Sequence, residues 1–328
     1  MRVAVLGAGS WGTTFAALTS ARAATTLWAR RPALADVIRR TGRNADYLPK
    51  DELPQDLVCT ASLEEALYGA GVVVMAVPSL GFRGVLADAA AFIPMGTPVV
   101  SLAKGLEQKS RRRMSEIVVE MAPGRPAGVL TGPNFAGEIL AGHPTASVLA
   151  MADPALATEL QQLFSTSAFR VYTNSDVLGC EVAGALKNVI AIASGMADGM
   201  GFGDSTKAAL ITRGLAELTR VGEHLGGRPS TFAGLAGMGD LVATCISRHS
   251  RNRHVGEELG KGRSMDEVVS GMRMVAEGVN SAPAVVELAA AAGVEVPISE
   301  QVVAVLYDGR KPADVLPALM RRGVKAEL

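Results

Sequence analysis

Short apolar, β-branched runs alternate with amphipathic stretches from residue 3 to residue 172. Such alternation is typical of a parallel sheet wound with helices. The predicted strands cover residues 3–6, 25–28, 57–59, 72–77, 99–102, 128–130, 145–151 and 169–172. Helical spacing is clearest at residues 13–21, 62–68 and 154–165. Ser62 and Glu65 have the spacing of a capping box.

The pattern changes after residue 175, where helical periodicity continues with almost no strand signal. We therefore predict an α/β domain over residues 1–175 and an all-helical domain over residues 176–328. Predicted helices there cover 177–197, 205–225, 241–246, 255–259 and much of 264–309. The first of these is expected to join the domains and line a cleft between them. Asp204 is expected to cap the second.

Composition limits the classes of partner. The 328 residues contain 32 Lys plus Arg and 32 Asp plus Glu, and the sequence pI is about 6.9. This balance offers no broad electrostatic surface for nucleic acid or an anionic membrane, so a site for an anion must be local.

The cysteines and the N-terminus indicate a soluble protein of a reducing compartment. Cys59, Cys180 and Cys245 are widely spaced and lack CxxC or histidine partners, which argues against a disulfide framework and a metal site. The chain enters a strand directly after Arg2, without a basic and apolar leader, and no uninterrupted apolar run reaches membrane-spanning length. We expect a cytoplasmic protein without membrane insertion.

A glycine motif follows the first predicted strand. Gly7, Gly9 and Gly12 form GxGxxG between that strand and a helical pattern. In a Rossmann-type, doubly wound sheet these glycines allow a tight turn, approach of a pyrophosphate and close packing of helix on strand. The helix N-terminus supplies N–H donors to the phosphates. The alternative is a glycine-rich turn without a ligand.

The second predicted strand ends before Arg30 and Arg31, where an acidic residue would otherwise bind the adenosine ribose. Two guanidinium groups suit a 2′-phosphate, so the sequence favours NADP(H), with NAD(H) possible. The alternative is a solvated arginine pair that starts the next helix.

Residues 182–197 form an apolar run whose sole formal charge belongs to Lys187. Burial lowers the pKa of a lysine in general, so a lysine here is suited to proton exchange. Asp240 is likewise the one charged residue between Arg228 and Arg248, and Thr244 follows it by one helical turn. A buried charge needs a partner, which makes Lys187 and Asp240 a candidate pair. The alternatives are a Lys187 that snorkels or pairs with another acid, and an Asp240 that caps a helix.

Two further stretches carry candidate chemistry. Lys104 follows the strand at 99–102, and residues 132–138 follow the strand at 128–130, where open parallel sheets bind ligands. In 247–254, a hydroxyl, an amide and arginines at a helix start suit an anion. Solvated loops are the alternative for both stretches.

Together these motifs resemble bacterial NAD(P)-dependent glycerol-3-phosphate dehydrogenase from residue 2 to about residue 309. The matching segments are GAGSWGT at 7–13, KGLE at 104–107, GPNFAGEI at 132–139, GALKNVIAIASG at 184–195, GLAGMGDL at 234–241, SRNR at 250–253 and VAEG at 275–278.

The resemblance implies roles for individual residues. Cofactor contacts are implied for Ser10, Trp11, Arg30, Arg31, Lys104, Ala136, Arg251, Val275 and Glu277, beside the three motif glycines. Substrate contacts are implied for Lys104, Gly132, Asn134, Lys187, Asp240, Ser250, Arg251 and Asn252. Lys187 is implied as the proton donor and acceptor, with Asp240 holding it and Lys104 adding positive charge. Asn134 departs from the Ser or Thr of many members, although an amide can also donate and accept.

The implied reaction is the reversible reduction of dihydroxyacetone phosphate to sn-glycerol 3-phosphate, which supplies the backbone for phospholipid synthesis. A homodimer is a further expectation, with the helical domain as its interface. The alternatives are a related hydroxy-acid dehydrogenase with the same layout and a nucleotide-sensing regulator without turnover.

Overall fold

The computed structural model describes residues 1–272 and 276–320. The chain forms two compact units, Met1–Glu181 and Val182–Leu328. The division falls within one helix that begins at Val177, close to the change of pattern seen in the sequence. The predicted boundary at residue 175 and the roles assigned to the two domains stay predictions.

The first unit contains one eight-stranded sheet in the order β3-β2-β1-β4-β5-β6-β7-β8. Neighbouring strands are parallel except β6 and β7. The strands are β1 (Val3–Leu6), β2 (Thr25–Trp28), β3 (Val58–Thr60), β4 (Val72–Met75), β5 (Val99–Ser101), β6 (Ala127–Thr131), β7 (Thr145–Met151) and β8 (Phe169–Asn174). This is the predicted Rossmann-type α/β domain.

Both faces of the central strands are buried. Val3 and Val5 of β1 lie in one hydrophobic cluster, while Ala4 and Leu6 lie in another. Because helices cover both faces of a parallel sheet, its central strands are continuous apolar runs instead of alternating ones. This explains why the runs at 3–6, 25–28 and 145–151 predicted their strands to the residue.

Short helices connect the strands of the first unit. They are α1 (Ser10–Ser20), α2 (Pro32–Thr41), α3 (Leu63–Leu67), α4 (Ser79–Ala89), α5 (Met114–Met121), α6 (Ala136–Leu140) and α7 (Pro154–Phe164), with a 3-10 turn at Ala90–Phe92. Ser62 caps α3 by accepting from the Glu65 N–H. The Glu65 carboxylate accepts from the Thr60 hydroxyl, and no bond from the Ser62 N–H to it is described.

The described part of the second unit is helical and contains no strand. It contains α8 (Val177–Gly199) from Val182 onward, followed by α9 (Asp204–His224), α10 (Pro229–Ala233), α11 (Asp240–Ile246), α12 (Arg251–Gly260), α13 (Met265–Ser270), α14 (Glu277–Ala291), α15 (Pro297–Tyr307) and α16 (Val315–Met320), with a π-helical turn at Leu235–Gly239 and a 3-10 turn at Pro312–Asp314.

The predicted cap of α9 is wrong. Gly203 occupies the N-cap position and Asp204 is the first helical residue, without a side-chain cap bond. A carboxylate in the first turn still interacts favourably with the positive end of the helix dipole.

Helix α8 is the one described helix with the length and hydropathy of a membrane span. Within the structure, 89% of its most apolar window is buried. By length and composition alone, this helix could be a membrane span. Its burial within the structure is that of a core helix.

Glycines bring α8 and α12 into backbone contact. A Cβ atom at Gly195 would lie 1.9 Å from the Arg253 carbonyl oxygen, and one at Gly256 would lie 1.9 Å from that of Ile192. Any side chain at either position would separate the two helices. The glycines thus fix the start of α12 relative to α8.

Candidate functional site

The glycine-rich turn between β1 and α1 has the geometry that its motif predicts. Gly7 has a φ of 121°, and a Cβ atom there would lie 2.6 Å from the Ala76 carbonyl oxygen. A Cβ atom at Gly12 would lie 1.9 Å from the Gly7 oxygen. At Gly9, by contrast, it would meet no heavy atom of the described chain within 4 Å. Packing therefore explains Gly7 and Gly12, whereas the open space at Gly9 fits a phosphate that approaches the backbone.

The start of α1 fits the same ligand. Its N-cap, Gly9, has no side chain to accept from the helix N–H groups. Trp11 packs on Phe15 and Phe169, with ring centroids 5.8 and 6.1 Å apart. Its indole Nε1 is buried without a hydrogen-bond partner among the described residues. A buried donor of this kind at a helix start is consistent with a bound acceptor.

The pairing of β1 with β2 brings the arginines to the edge of the sheet that carries the glycine turn. Leu6 lies beside Trp28 in the parallel register, and the Gly7 N–H donates to the Trp28 carbonyl oxygen at 3.0 Å. Both arginines are exposed. Arg31 forms an ion pair with Asp46.

Asn44 supports the glycine-rich turn and was not identified from the sequence. It is fully buried, and its amide nitrogen donates to the Ala8 carbonyl oxygen at 3.0 Å and to the Thr13 hydroxyl at 2.8 Å. These contacts span 36 and 31 residues of chain. No local pattern signals such a contact, because Asn in a polar loop is ordinary.

Lys104 and Gly132 are brought together after β5 and β6. The Lys104 ammonium donates to the Gly132 carbonyl oxygen at 2.7 Å. The Asn134 amide nitrogen donates to Ser147 Oγ at 2.8 Å, and that hydroxyl is 3.1 Å from the Thr131 carbonyl oxygen. Ser147 thus fixes the side-chain amide of Asn134, the residue that stands where many family members have Ser or Thr. Ser147 was not identified from the sequence. Ala136 begins α6 just beyond.

Lys187 and Asp240 form the predicted buried pair. Lys187 Nζ lies 2.7 Å from Asp240 Oδ1 and 2.7 Å from Thr244 Oγ1. The two charged residues are 3% and 2% exposed. Thr244 also donates to the Asp240 carbonyl oxygen at 2.6 Å. The carboxylate compensates the buried ammonium and, together with the hydroxyl, fixes its position. Asp240 makes no side-chain cap of α11, so the capping alternative is wrong.

The start of α12 is tied to α8 and α14 through side-chain amides. Asn252 donates to Asn188 Oδ1 at 2.8 Å and accepts from the Gly278 N–H at 2.9 Å. Ser250 is the N-cap, and its hydroxyl accepts from the Arg253 N–H at 3.2 Å. Asn188 was missed, although a second polar residue in the apolar run is a usable signal.

Arg251 and Glu277 begin α12 and α14. Arg251 is exposed to solvent. Desolvation by the surrounding protein nevertheless lowers its pKa, and the Glu277 carboxylate acts in the opposite direction. Val275, predicted to contact the cofactor, lies outside the described residues.

Among residues 1–272 and 276–320, no group of three His, Cys, Asp or Glu side chains is placed to hold a metal ion. Cys59, Cys180 and Cys245 are buried free thiols. Burial raises the pKa of Cys59 to about 11 and that of Cys245 to about 12, so neither is a thiolate at neutral pH.

Both units match known families. Residues 2–157 match the N-terminal family of NAD-dependent glycerol-3-phosphate dehydrogenase, and residues 176–317 match its C-terminal family. The chain belongs to the NAD-dependent glycerol-3-phosphate dehydrogenase family.

Individual relatives extend over the whole chain. The chain is 54% identical to glycerol-3-phosphate dehydrogenase [NAD(P)+] 2 of Sphingopyxis alaskensis, over 100% of this chain and 98% of the relative. Identity to the [NAD(P)+] enzyme of Moorella thermoacetica is 50%, over 98% and 96% of the two chains. The crystal structure of glycerol-3-phosphate dehydrogenase from Coxiella burnetii superimposes with a TM-score of 0.93 at 36% identity, over 98% and 99%.

Proposed function

We propose that the protein catalyses the reversible reduction of dihydroxyacetone phosphate by NAD(P)H to sn-glycerol 3-phosphate, and so supplies the backbone for phospholipid synthesis. The observation that carries the proposal is the buried Lys187–Asp240–Thr244 group, found in a member of this dehydrogenase family. A ketone reductase needs one positioned proton donor, and the stretch 182–197, whose sole formal charge is Lys187, presents one ammonium here.

When bound, the nicotinamide cofactor supplies the hydride that reduces the carbonyl carbon. The first unit is the proposed cofactor domain. Its glycine-rich turn and the start of α1 would hold the pyrophosphate, and Arg30 and Arg31 would hold a 2′-phosphate. We infer a preference for NADP(H) over NAD(H) from the two arginines. Ala136, Val275 and Glu277 are further proposed cofactor contacts.

Lys187 is the proposed acid. As ammonium it donates a proton to the oxygen that gains charge when the carbonyl is reduced, and in the reverse direction it takes the proton from the hydroxyl. Asp240 keeps the amine charged and oriented, and Thr244 fixes its position. Lys104 would add positive charge near the same oxygen, which stabilises a developing alkoxide.

The substrate phosphate is the proposed ligand of the start of α12. Arg251, an exposed residue, supplies a guanidinium group, and the helix N-terminus favours an anion. Within the described residues, the Asn252 amide nitrogen donates to Asn188 Oδ1, and its second N–H is the proposed donor to a ligand. Ser250, Gly132 and Asn134 complete the proposed substrate contacts.

The proposed location is the cytoplasm, and the proposed assembly is a homodimer. Three buried free thiols fit a reducing compartment, which supports a cytoplasmic enzyme. A homodimer through the helical unit is the proposed assembly. Sedimentation equilibrium should give twice the chain mass of 33.9 kDa, and the mass of one chain would contradict it.

The test is the loss of reduced-nicotinamide absorbance with dihydroxyacetone phosphate, run with NADPH and with NADH. Turnover with NADPH favoured supports both the reaction and the arginine assignment. Turnover with NADH favoured keeps the reaction and removes that assignment. Activity on 3-hydroxy acids instead would indicate a related dehydrogenase. Folded protein that binds cofactor without any turnover would indicate a nucleotide sensor.

A further inference from the structure

Asp46 is an acidic residue at the proposed adenosine end of the cofactor site. It lies in the loop between α2 and β3, and its carboxylate accepts a hydrogen bond from the Arg31 guanidinium. The two side chains are 47% and 53% exposed, so both remain accessible to a ligand. Arg30 makes no ion pair within the described ranges 1–272 and 276–320. Within those ranges, Asp46, through Arg31, is therefore the carboxylate that forms an ion pair with one of the two arginines.

The position of Asp46 is fixed by its neighbours in the chain. Asn44, two residues earlier, is bonded to the glycine-rich turn through Ala8 and Thr13. The Asn44 carbonyl oxygen also accepts from the Leu48 N–H at 2.8 Å, which closes a turn around Asp46. The backbone that carries Asp46 is therefore held at a set place relative to the turn that would bind the pyrophosphate.

We propose that Asp46 is a specificity-determining residue: its carboxylate accepts a hydrogen bond from the 2′-hydroxyl of NAD(H), and it competes with the 2′-phosphate of NADP(H) for Arg31. This inference rests on the proposed function, since it assumes a dinucleotide at the glycine-rich turn.

The chemistry of the two cofactors supports this role. NAD(H) sites place an acid on the ribose hydroxyl, and NADP(H) sites place an arginine on the phosphate. The second strand of this chain ends in arginines without an acid, and the structure supplies the missing acid from a later loop. Because an exposed ion pair contributes little free energy, either cofactor can open it. A site that contains both groups can take both cofactors.

The experiment compares Asp46→Asn with the wild-type chain by fluorescence titration of NADPH and NADH without substrate. We expect the NADH dissociation constant to rise about fivefold, because a charge-assisted hydrogen bond is lost. We expect the NADPH constant to fall about twofold or more, because Arg31 loses its competitor. Calorimetry with 2′,5′-ADP, which carries the phosphate but no nicotinamide, should show the same tightening.

Asp36→Asn is the matched control. Asp36 also forms an exposed ion pair with an arginine, Arg39, on α2. This control removes the same charge and should leave both dissociation constants unchanged. Asp46→Glu keeps the carboxylate and should restore most of the NADH affinity.

Two results would overturn the inference. Asp46→Asn could leave the ratio of the two dissociation constants unchanged, and an equal shift of both constants would then indicate a structural role. Asp36→Asn could also change that ratio as much as Asp46→Asn does. Wild-type protein that binds neither cofactor would refute the proposed function and the inference together, whereas a failure confined to the ratio refutes the inference alone.

Discussion

Replacement of Asp240 by Asn tests the electrostatics of the buried pair. The amide keeps the size and shape of the carboxylate but removes its charge. In the wild type, Lys187 Nζ lies 2.7 Å from Asp240 Oδ1, and Lys187 is 3% exposed. In the variant, the Lys187 ammonium would be a buried charge without compensation. Breaking such a pair by changing one partner typically costs about 3–5 kcal/mol.

The lysine limits that cost, because it can release its proton. From an ordinary lysine pKa of about 10.4, deprotonation costs about 4.6 kcal/mol near pH 7 and about 1.9 kcal/mol near pH 9. In the variant, the unfolded chain then binds more protons than the folded chain, so the free energy of unfolding rises with pH. The deficit relative to wild type should therefore be largest near neutrality and shrink in alkali.

Urea unfolding followed by circular dichroism at several pH values measures this deficit. The double variant Lys187→Met/Asp240→Asn is the matched control, because it buries no charge and its deficit should not depend on pH. A deficit of Asp240→Asn below about 1 kcal/mol near pH 7 would refute the reasoning, since it would place the pair in the range of exposed ion pairs. An equal deficit near pH 9 would refute it as well.

Four other substitutions test the glycine-rich turn, the anion site and the buried Glu217 carboxyl. Gly9→Ala should keep the melting temperature but weaken NADPH binding. Gly12→Ala should lower the free energy of unfolding by about 1–3 kcal/mol, because its Cβ atom would overlap the Gly7 oxygen. Thermal melts in which Gly9→Ala is the less stable of the two variants would contradict this. Arg251→Ala should chiefly raise the KM for substrate, and unchanged steady-state constants with unchanged cofactor binding would remove the anion site. Burial raises the pKa of Glu217 to about 7, although the N–H groups of Ile298 and Ser299 lower it. The folded chain thus holds this proton more tightly than the unfolded chain, and wild type should lose about 3 kcal/mol of stability as pH rises from about 4.5 to 7. Urea titrations of Glu217→Gln should lack that loss, and curves parallel to wild type would contradict it.

The pattern of apolar residues predicted much of the fold, because a strand or helix that is buried on all sides is apolar along its whole length. The strand β1 and the helix α8 are apolar for this reason, and their bounds differ little from prediction. Helix starts were less predictable. Asp204 looks like a cap, but Gly203 before it takes that position.

In the candidate site, too, some residues could be predicted from the sequence and others could not. Lys187 and Asp240 were found because a lone charge in an apolar run requires a partner, and 53 residues of chain separate them. Asn44, Ser147 and Asn188 were missed. Each acts through a hydrogen bond to a distant residue. A polar side chain in a loop, in a strand or beside a lysine gives no sign of the partner that folding brings to it.

Lys187 is the proposed residue that moves the proton when dihydroxyacetone phosphate is reduced. The turnover of wild type and of Lys187→Ala at saturating NADPH and dihydroxyacetone phosphate, followed by nicotinamide absorbance, tests this role. Circular dichroism and NADPH titration establish that the variant folds and binds cofactor. We predict a fall in kcat of at least about a hundredfold, the scale of positioned acid–base catalysis. Near-normal turnover by the folded variant would contradict the claim.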